Sequence, residues 1–369
     1  MSKAAELANL IGNINAGGGG VNRNVIINGA MNVAQRGTSS TGLGATAGYY
    51  TVDRFQIAVG GTATAGRLTM TQDSSAPEGF ANSVKLDCTT ADTSIAAGET
   101  LRLVSVLEGQ NLQTFKKGTS NANPWALSFY VKGNASATYV VELYDLDNVR
   151  HVAKTFNVTT DWTRVELSFP ADTTGSLDDD NAGSLQVTWW LHSGTDFTSG
   201  TLPATWASKT DANRAGGLST SFYDSTDRTF FITGVQLEVG QNPTAFEHEP
   251  FERTLAKCQR YFISQTVDFS FHAGRVISSK RIDTGIPFPV EMRATPSLAN
   301  GFNTSLTGAT CNTRDGNFTN ILVTSFSTEI SHGTKSIGGF RITNSNISQP
   351  AEGCCTTQLD GKVEFSAEL

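Results

Sequence analysis

Residues 124–158, "PWALSFYVKGNASATYVVELYDLDNVRHVAKTFNV", decide the fold. Leu127, Phe129 and Val131 alternate with Ser128, Tyr130 and Lys132. Side chains two apart share one face of a strand, so this parity predicts a strand with one buried face. "GNASA" then turns the chain, and Val141 and Leu143 continue an apolar face opposite Glu142 and Tyr144. Asp145, Asp147 and Asn148 make the next turn, because short polar side chains bond their own backbone.

The same texture extends from Asn24 to about Pro243. "TTDWTRVELSFP" points Val165, Leu167 and Phe169 inward. "SLQVTWWLHSG" points Leu185, Val187, Trp189 and Leu191 inward, and Gln186, Thr188, Trp190 and His192 outward. "RTFFITGVQLEVG" closes the series. Trp125, Trp162 and Trp189 fall inward or at strand ends and read as core. Short strands between turn signals predict a mainly β chain, an antiparallel jelly-roll β-sandwich. No long helices alternate with the strands, which excludes a parallel α/β sheet. Two polar insertions interrupt the pattern, "ADTTGSLDDDNAG" (171–183) and "GTDFTSGTLPATWASKTDANRAGG" (194–217). In the second, Trp206 reads as a plug that holds the loop onto the sandwich.

Both flanks differ in texture. At residues 2–14, Leu7, Leu10, Ile11 and Ile14 fall at spacings of three and four behind Ser2, predicting a short helix. A helix of that length is marginal alone in water and must bury its stripe. Gly17 to Gly20 uncouple it from the β-body, which favours burial against its own copies. "NVIINGAMNVAQRG" then reads as a hairpin-like opening of that body. After Pro243, Phe251, Leu255, Cys258 and Phe262 recur at spacings of four, three and four behind Pro250, predicting a helical neck. Beyond it, "RVISSKRIDTGIPFPVEM", "FTNILVTSFSTEI" and "KVEFSAEL" return to strands, giving a smaller C-terminal β-domain. The expected divisions are 1–20, 21–246, 247–263 and 264–369.

Composition fits this plan. Hydrophobic residues make up 38% and charged residues 17%, with Gly, Thr, Ser and Asn filling the rest, which suits tight turns more than long helices. The net charge is −7 and no basic block occurs, so nucleic-acid binding is not expected. No apolar run is long enough to span a membrane, and the first twenty residues do not read as a secretory signal. The five cysteines form no CxxC pair. Cys354 and Cys355 are adjacent, with Cα atoms about 3.8 Å apart. A disulfide needs roughly 4.4–6.8 Å, so a bond between these two would be strained. Cys311 pairing with either, or free thiols throughout, both stay open.

The sequence offers no catalytic motif. There is no G-x-S-x-G, H-E-x-x-H or P-loop. Acids such as Glu142, Glu166, Asp145 and Asp147 are plentiful, but no spacing couples two of them as a glycosidase requires. His151, His192, His248, His272 and His332 lie far apart, each reading as a surface or hydrogen-bonded residue. Asp178 to Asn181 lack the ligand spacing of a calcium loop and read as a solvated turn. The expectation is a protein without catalytic residues, metal or cofactor. Sugar recognition fits better: rings stack on pyranose faces while acids and amides bond hydroxyls. The outward set Tyr130, Glu142, Tyr144, Gln186, Trp190 and His192 is the candidate surface, for a glycan or for a neighbouring subunit. Arg36 and the Asp53–Arg54 pair read as structural.

Several long blocks resemble the tail-fibre and receptor-binding proteins of tailed, marine-type bacteriophages. They are "RNVIINGAMNVAQRGTS", "YTVDRFQI", "SFYVKGNASATYVVELYD", "TTDWTRVELSFPADTTG" and "FFITGVQLEVGQNPTAFEHEPFERTLAKCQRYF", and they cover residues 1 to about 263. "YVKGNASATYVVELYD" and "GVQLEVG" also resemble carbohydrate-binding-module-like jelly rolls. "FPVEMRATPSL" is similar to the variable tips of such fibres. The resemblance implies a virion protein assembled in the host cytoplasm. It implies a homotrimer joined through Leu7, Leu10, Ile11, Ile14, Phe251, Leu255 and Phe262, attached to other virion proteins at its N-terminus and touching a host glycan or receptor. A capsid-attached fibre or decoration protein, a secreted carbohydrate-binding module and a glycan depolymerase are the alternatives.

Overall fold

The computed structural model describes residues 2–15, 22–61, 65–278, 281–300, 310–313, 318–320, 326–327, 337–343 and 354–369. Chain contacts divide it into two compact units, residues 1–254 with Leu369, and residues 255–368.

The first unit opens with helix α1 (Lys3–Asn15). Its strands are β1 (Ser39–Leu43), β2 (Gln56–Gly60), β3 (Arg67–Asp73), β4 (Ser83–Thr90), β5 (Thr100–Glu108), β6 (Trp125–Gly133), β7 (Ala137–Asp145), β8 (Arg150–Val158), β9 (Thr163–Phe169), β10 (Gly183–Ser193), β11 (Ala207–Ser208) and β12 (Thr229–Val239). A one-turn helix, α2 (Thr195–Thr198), follows β10. Two six-stranded sheets result. Sheet A runs β1-β3-β4-β12-β6-β9 and sheet B runs β11-β8-β7-β10-β5-β2. Every pairing within them is antiparallel. From β4 onward the chain passes repeatedly from one sheet to the other, as a jelly-roll sandwich requires.

One core lies between the sheets. Leu127, Phe129 and Val131 from sheet A meet Val141, Leu143, Leu185, Val187, Trp189 and Leu191 from sheet B, all without solvent exposure. Phe129 meets Trp189 edge-on, with ring centroids 5.7 Å apart. Each such side chain contributes about 1.5–3 kcal/mol on burial, so the alternation read in the sequence is the main source of stability. Val165 and Leu167, at the edge of sheet A, are only partly buried against it.

The opening segment is no hairpin. Residues 24–38 contain no strand, and the first one begins at Ser39. Asn28 adopts the left-handed conformation, φ 62°. Its amide donates to the carbonyls of Val33 (2.9 Å) and Asp53 (3.0 Å) and accepts from Val33 N at 3.0 Å. Ahead of this turn, Val25 N donates to Leu237 O on β12 at 3.0 Å and Ile26 N to Asn24 Oδ1 at 3.0 Å, so the apolar run is held without a hairpin ladder of its own. Gly29 lies against β12, where a Cβ would come within 2.1 Å of the Val235 carbonyl oxygen. Asp53 is buried and accepts from Gln35 Nε2 at 2.5 Å, with Arg36 at 3.5 Å. Arg54, also buried, donates to Val106 O at 2.6 Å. These charged residues pin the segment to the sandwich, as their structural reading anticipates.

Trp162 is half exposed and stands edge-on to Phe231 on the outer side of sheet A, with centroids 6.0 Å apart, so it is not core. It precedes β9 by one residue, so the inward parity of that strand does not reach it. Trp206, by contrast, is buried, 5.6 Å from Trp125, and donates from Nε1 to Pro170 O at 3.0 Å. The plug forms as read.

The second unit is a smaller β-domain. The chain enters it through helix α3 (Phe251–Gln259). Its strands are β13 (Phe262–Ser278), β14 (Arg281–Pro287), β15 (Ser297–Asn300), β16 (Thr310–Thr313), β17 (Phe318–Asn320), β18 (Phe326–Ser327), β19 (Ile337–Thr343) and β20 (Cys354–Ser366). They form one antiparallel sheet, β17-β16-β20-β13-β14-β19-β18, with β15 also on β20. Phe262 is therefore no helical stripe residue. It opens β13 opposite Ser366 and is buried, whereas Leu255 is half buried. In the backbone register, Cys311 stands opposite Thr357, and Cys355 opposite Thr313. Gly17 to Gly20 and the side chains of Leu10, Ile14, Cys311, Cys354 and Cys355 lie outside the described residues.

Candidate functional site

The six candidate surface residues do not share a surface. Tyr130 lies on β6 in sheet A, and the other five lie on β7 and β10 in sheet B. "GNAS" is an arch between the sheets, so the two outer faces look in opposite directions.

On sheet B, strand pairing sets Glu142 beside Thr188 and Ala153, and Trp190 beside Val140 and Arg102. The 194–217 insertion folds over this face. Phe197, Leu202 and Ala215 pack on Val140, Ala153 and Trp190. The close seat requires a glycine, since a Cβ at Gly217 would lie 2.5 Å from Thr155 Cγ2. Glu142 and Trp190 are consequently buried, His192 is buried against Glu99, Ser221 and Tyr223, and Tyr144 and Gln186 are half buried. This corrects the expectation of an open face: the residues point outward from their sheet but are covered by their own chain.

Glu142 is fully engaged. Its Oε1 accepts from His151 Nδ1 at 2.8 Å and Arg214 Nε at 2.9 Å. Its Oε2 accepts from Trp190 Nε1 at 3.0 Å and Arg214 Nη2 at 2.9 Å. Burial pushes the carboxyl toward neutrality, but the bonds from His151 and Arg214 outweigh it and hold its pKa below the ordinary value. His192 sits deeper toward β5, with Nδ1 2.8 Å from Ser221 Oγ and Nε2 3.5 Å from Glu99. Burial lowers its pKa, against the pull of Glu99.

A second buried network closes one end of the sandwich. Lys117 Nζ meets Asp145 Oδ2 at 2.5 Å, Asp172 Oδ2 at 3.0 Å, and the carbonyls of Thr174 (3.0 Å) and Gly175 (2.8 Å). Arg150 adds two bonds to Asp172, at 2.9 and 3.1 Å. Burial raises the Asp172 pKa, yet the bonds from Arg150 and Lys117 leave it lowered. Glu166 pairs with Arg164 at 2.5 Å. Asp180 caps its own turn, accepting from Ala182 N at 2.8 Å, as a solvated turn does. Among the described residues no cluster of His, Cys, Asp and Glu has the arrangement of a metal site.

One cluster of accessible rings gathers around Tyr130 on the outer side of sheet A. Phe80 lies 5.4 Å from Tyr130, 5.0 Å from Phe246 and 5.1 Å from His248. Phe80, Tyr130 and Phe246 are half buried and His248 is partly exposed. Gly234 makes the cluster possible. Its φ is +62°, and a Cβ there would come within 2.8 Å of both Phe80 and Tyr130. This residue interrupts the β6–β12 ladder between Thr233 and Gln236. Amides border the rings, with Asn82 donating to Asn32 Oδ1 at 3.1 Å. The adjoining cleft, lined in part by Asn28, Asn32, Phe246 and His248, encloses only about 20 Å³. A sugar would therefore lie on a platform. A larger groove of about 400 Å³, lined by Gln113, Lys116, Thr119, Asn121, Ser176 and their neighbours, has no ring to stack against. Sequence reading picks Tyr130 from this cluster and misses Phe80, Phe246 and His248, which lie in loops without periodicity. The glycine inside "FFITGVQL" is the available signal, since an isolated strand glycine marks a bulge or a close approach.

No protein-family model matches the chain. No curated protein matches it. Among solved structures, it is similar to the family 11 carbohydrate-binding module from Clostridium thermocellum in complex with a beta-1,3-1,4-mixed-linked tetrasaccharide. That likeness has 13% identity, covers 57% of this chain and 98% of that one, and has a TM-score of 0.28. TmCBM61 in complex with beta-1,4-galactotriose is similar at 9% identity, over 59% of this chain and 99% of that one, with a TM-score of 0.28. The enzymatically active domain of Bacteriophage CBA120 tailspike protein 4 is similar at 12% identity, over 59% of this chain and 21% of that one, with a TM-score of 0.30. At such identities and TM-scores, what those proteins bind or cleave stays with them.

Proposed function

We propose that this chain is a non-enzymatic, glycan-binding adhesin, and that its sugar platform is the ring cluster Phe80, Tyr130 and Phe246, with His248 at its edge. The observation that carries the reading is that cluster itself: half-buried rings, held in place by a left-handed glycine and bordered by amides. Ring faces suit the apolar face of a pyranose, and neighbouring Asn side chains supply donors and acceptors for hydroxyls. The sequence blocks that resemble phage tail fibres support a place in the virion, as a tail fibre facing the host surface. Weak sites presented by several copies would gain by avidity.

The test is binding of the full chain to host-surface polysaccharide and to a panel of oligosaccharides. Phe80→Ala and Phe246→Ala should each weaken binding about tenfold, worth roughly 1.4 kcal/mol, with the fold retained by circular dichroism. Undiminished binding by both variants removes the platform.

A further inference from the structure

On the outer face of sheet B, two guanidinium groups flank the Trp190 ring, Arg102 at 5.1 Å and Arg214 at 5.0 Å from its centroid. One carboxylate, Glu142, serves them, and Arg214 takes it with a two-pronged grip. Among the described residues Arg102 has no hydrogen-bond or ion-pair partner, and its Nε is buried without one. On the same face of β10, two residues from Trp190, the buried Thr188 hydroxyl is also without a partner. Burial, and then repulsion from Arg214, lower the Arg102 pKa to about 10, so it stays cationic at neutral pH. An unpaired, partly desolvated guanidinium is costly to hold, and a fold that keeps one leaves its charge available to an outside anion. A ring beneath and a free planar fork above match a planar or tetrahedral oxyanion, which the fork can grip with two parallel bonds. The half-buried state of Arg102 leaves the fork reachable.

We propose that Arg102, seated on Trp190, is an oxyanion subsite that takes the carboxylate of an acidic sugar or a sulfate group. It lies on the sheet opposite the ring platform and stands independently of it. The probes are sodium glucuronate, a sulfated monosaccharide and inorganic sulfate, titrated into the full chain by calorimetry and by tryptophan fluorescence. At least one should bind saturably and change the emission, because Trp190 lies directly beneath the site. Arg102→Met should abolish that binding. Arg102→Lys keeps the charge but loses the fork, and should weaken it about tenfold. Which probe binds identifies the source: glucuronate alone marks a carboxylate site, the sulfated sugar alone a sulfate-ester site, and inorganic sulfate with equal affinity a site for the bare anion. Failure of all three with the wild-type chain overturns the proposal. So does binding that is unchanged in both variants.

Discussion

At the scale of single residues, the molecule uses buried charge as structural fastening. Glu142 is enclosed by His151, Trp190 and Arg214. Replacing it by Gln removes the charge that balances Arg214 in a water-excluded setting. Breaking such a pair on one side typically costs about 3–5 kcal/mol, so Glu142→Gln should unfold at markedly lower denaturant in an equilibrium urea titration. His192 sets a pH dependence. Its folded pKa lies below the ordinary 6.5, so the unfolded chain binds the proton more readily. The stability it confers is complete above about pH 6.5 and declines as pH falls through the window below. Glu142, also lowered, adds its own loss beneath its ordinary 4.5, where the unfolded chain takes up the proton first. Melting temperature should therefore fall in two stages on acidification. His192→Gln should flatten the first stage and leave the second. A profile level from pH 7 to 5 in the wild type contradicts the assignment.

At the scale of elements, the chain's polar stretches are shaped by glycines that permit close approach. Gly29 and Gly234 bring the opening segment and the ring cluster against β12, and Gly217 brings the second insertion onto β8. That insertion turns the outer face of sheet B from a surface into an interior. Gly217→Val should press on Thr155 and lift the insertion. Overpacking of this kind costs about 1–3 kcal/mol, and Trp190 emission should shift to the red as water reaches it. Unchanged emission and stability would show that the loop yields without letting go. Helical periodicity locates α1 and α3. It overruns α3 to Phe262, because a helix and the first residues of a strand can both place an apolar residue at the next expected step.

At the scale of the whole molecule, α1 presents Leu7 and Ile11 at 57% and 50% exposure. A helix of 13 residues is marginal in water unless that face is covered. Covering by copies of itself is the arrangement the fibre reading implies. Static light scattering of the full chain should then give about three times 39.3 kDa, falling to a monomer when residues 2–15 are removed. A monomer before removal withdraws the trimer. The sequence by itself determined the sandwich, because side-chain parity is local: Leu127, Phe129, Val131, Leu185, Val187 and Trp189 face the core wherever their strands go. It marked Trp206 on equally local grounds, as a large apolar group in polar surroundings, and the fold made it a plug rather than a presented contact. Tertiary structure alone decided which strands share a sheet, since an arch and a hairpin turn have the same local chemistry at "GNAS". It also decided which outward faces stay open. Trp190 and Tyr130 have the same parity and similar chemistry, and only the 194–217 insertion, folding back from a distance, buries one and leaves the other at the surface.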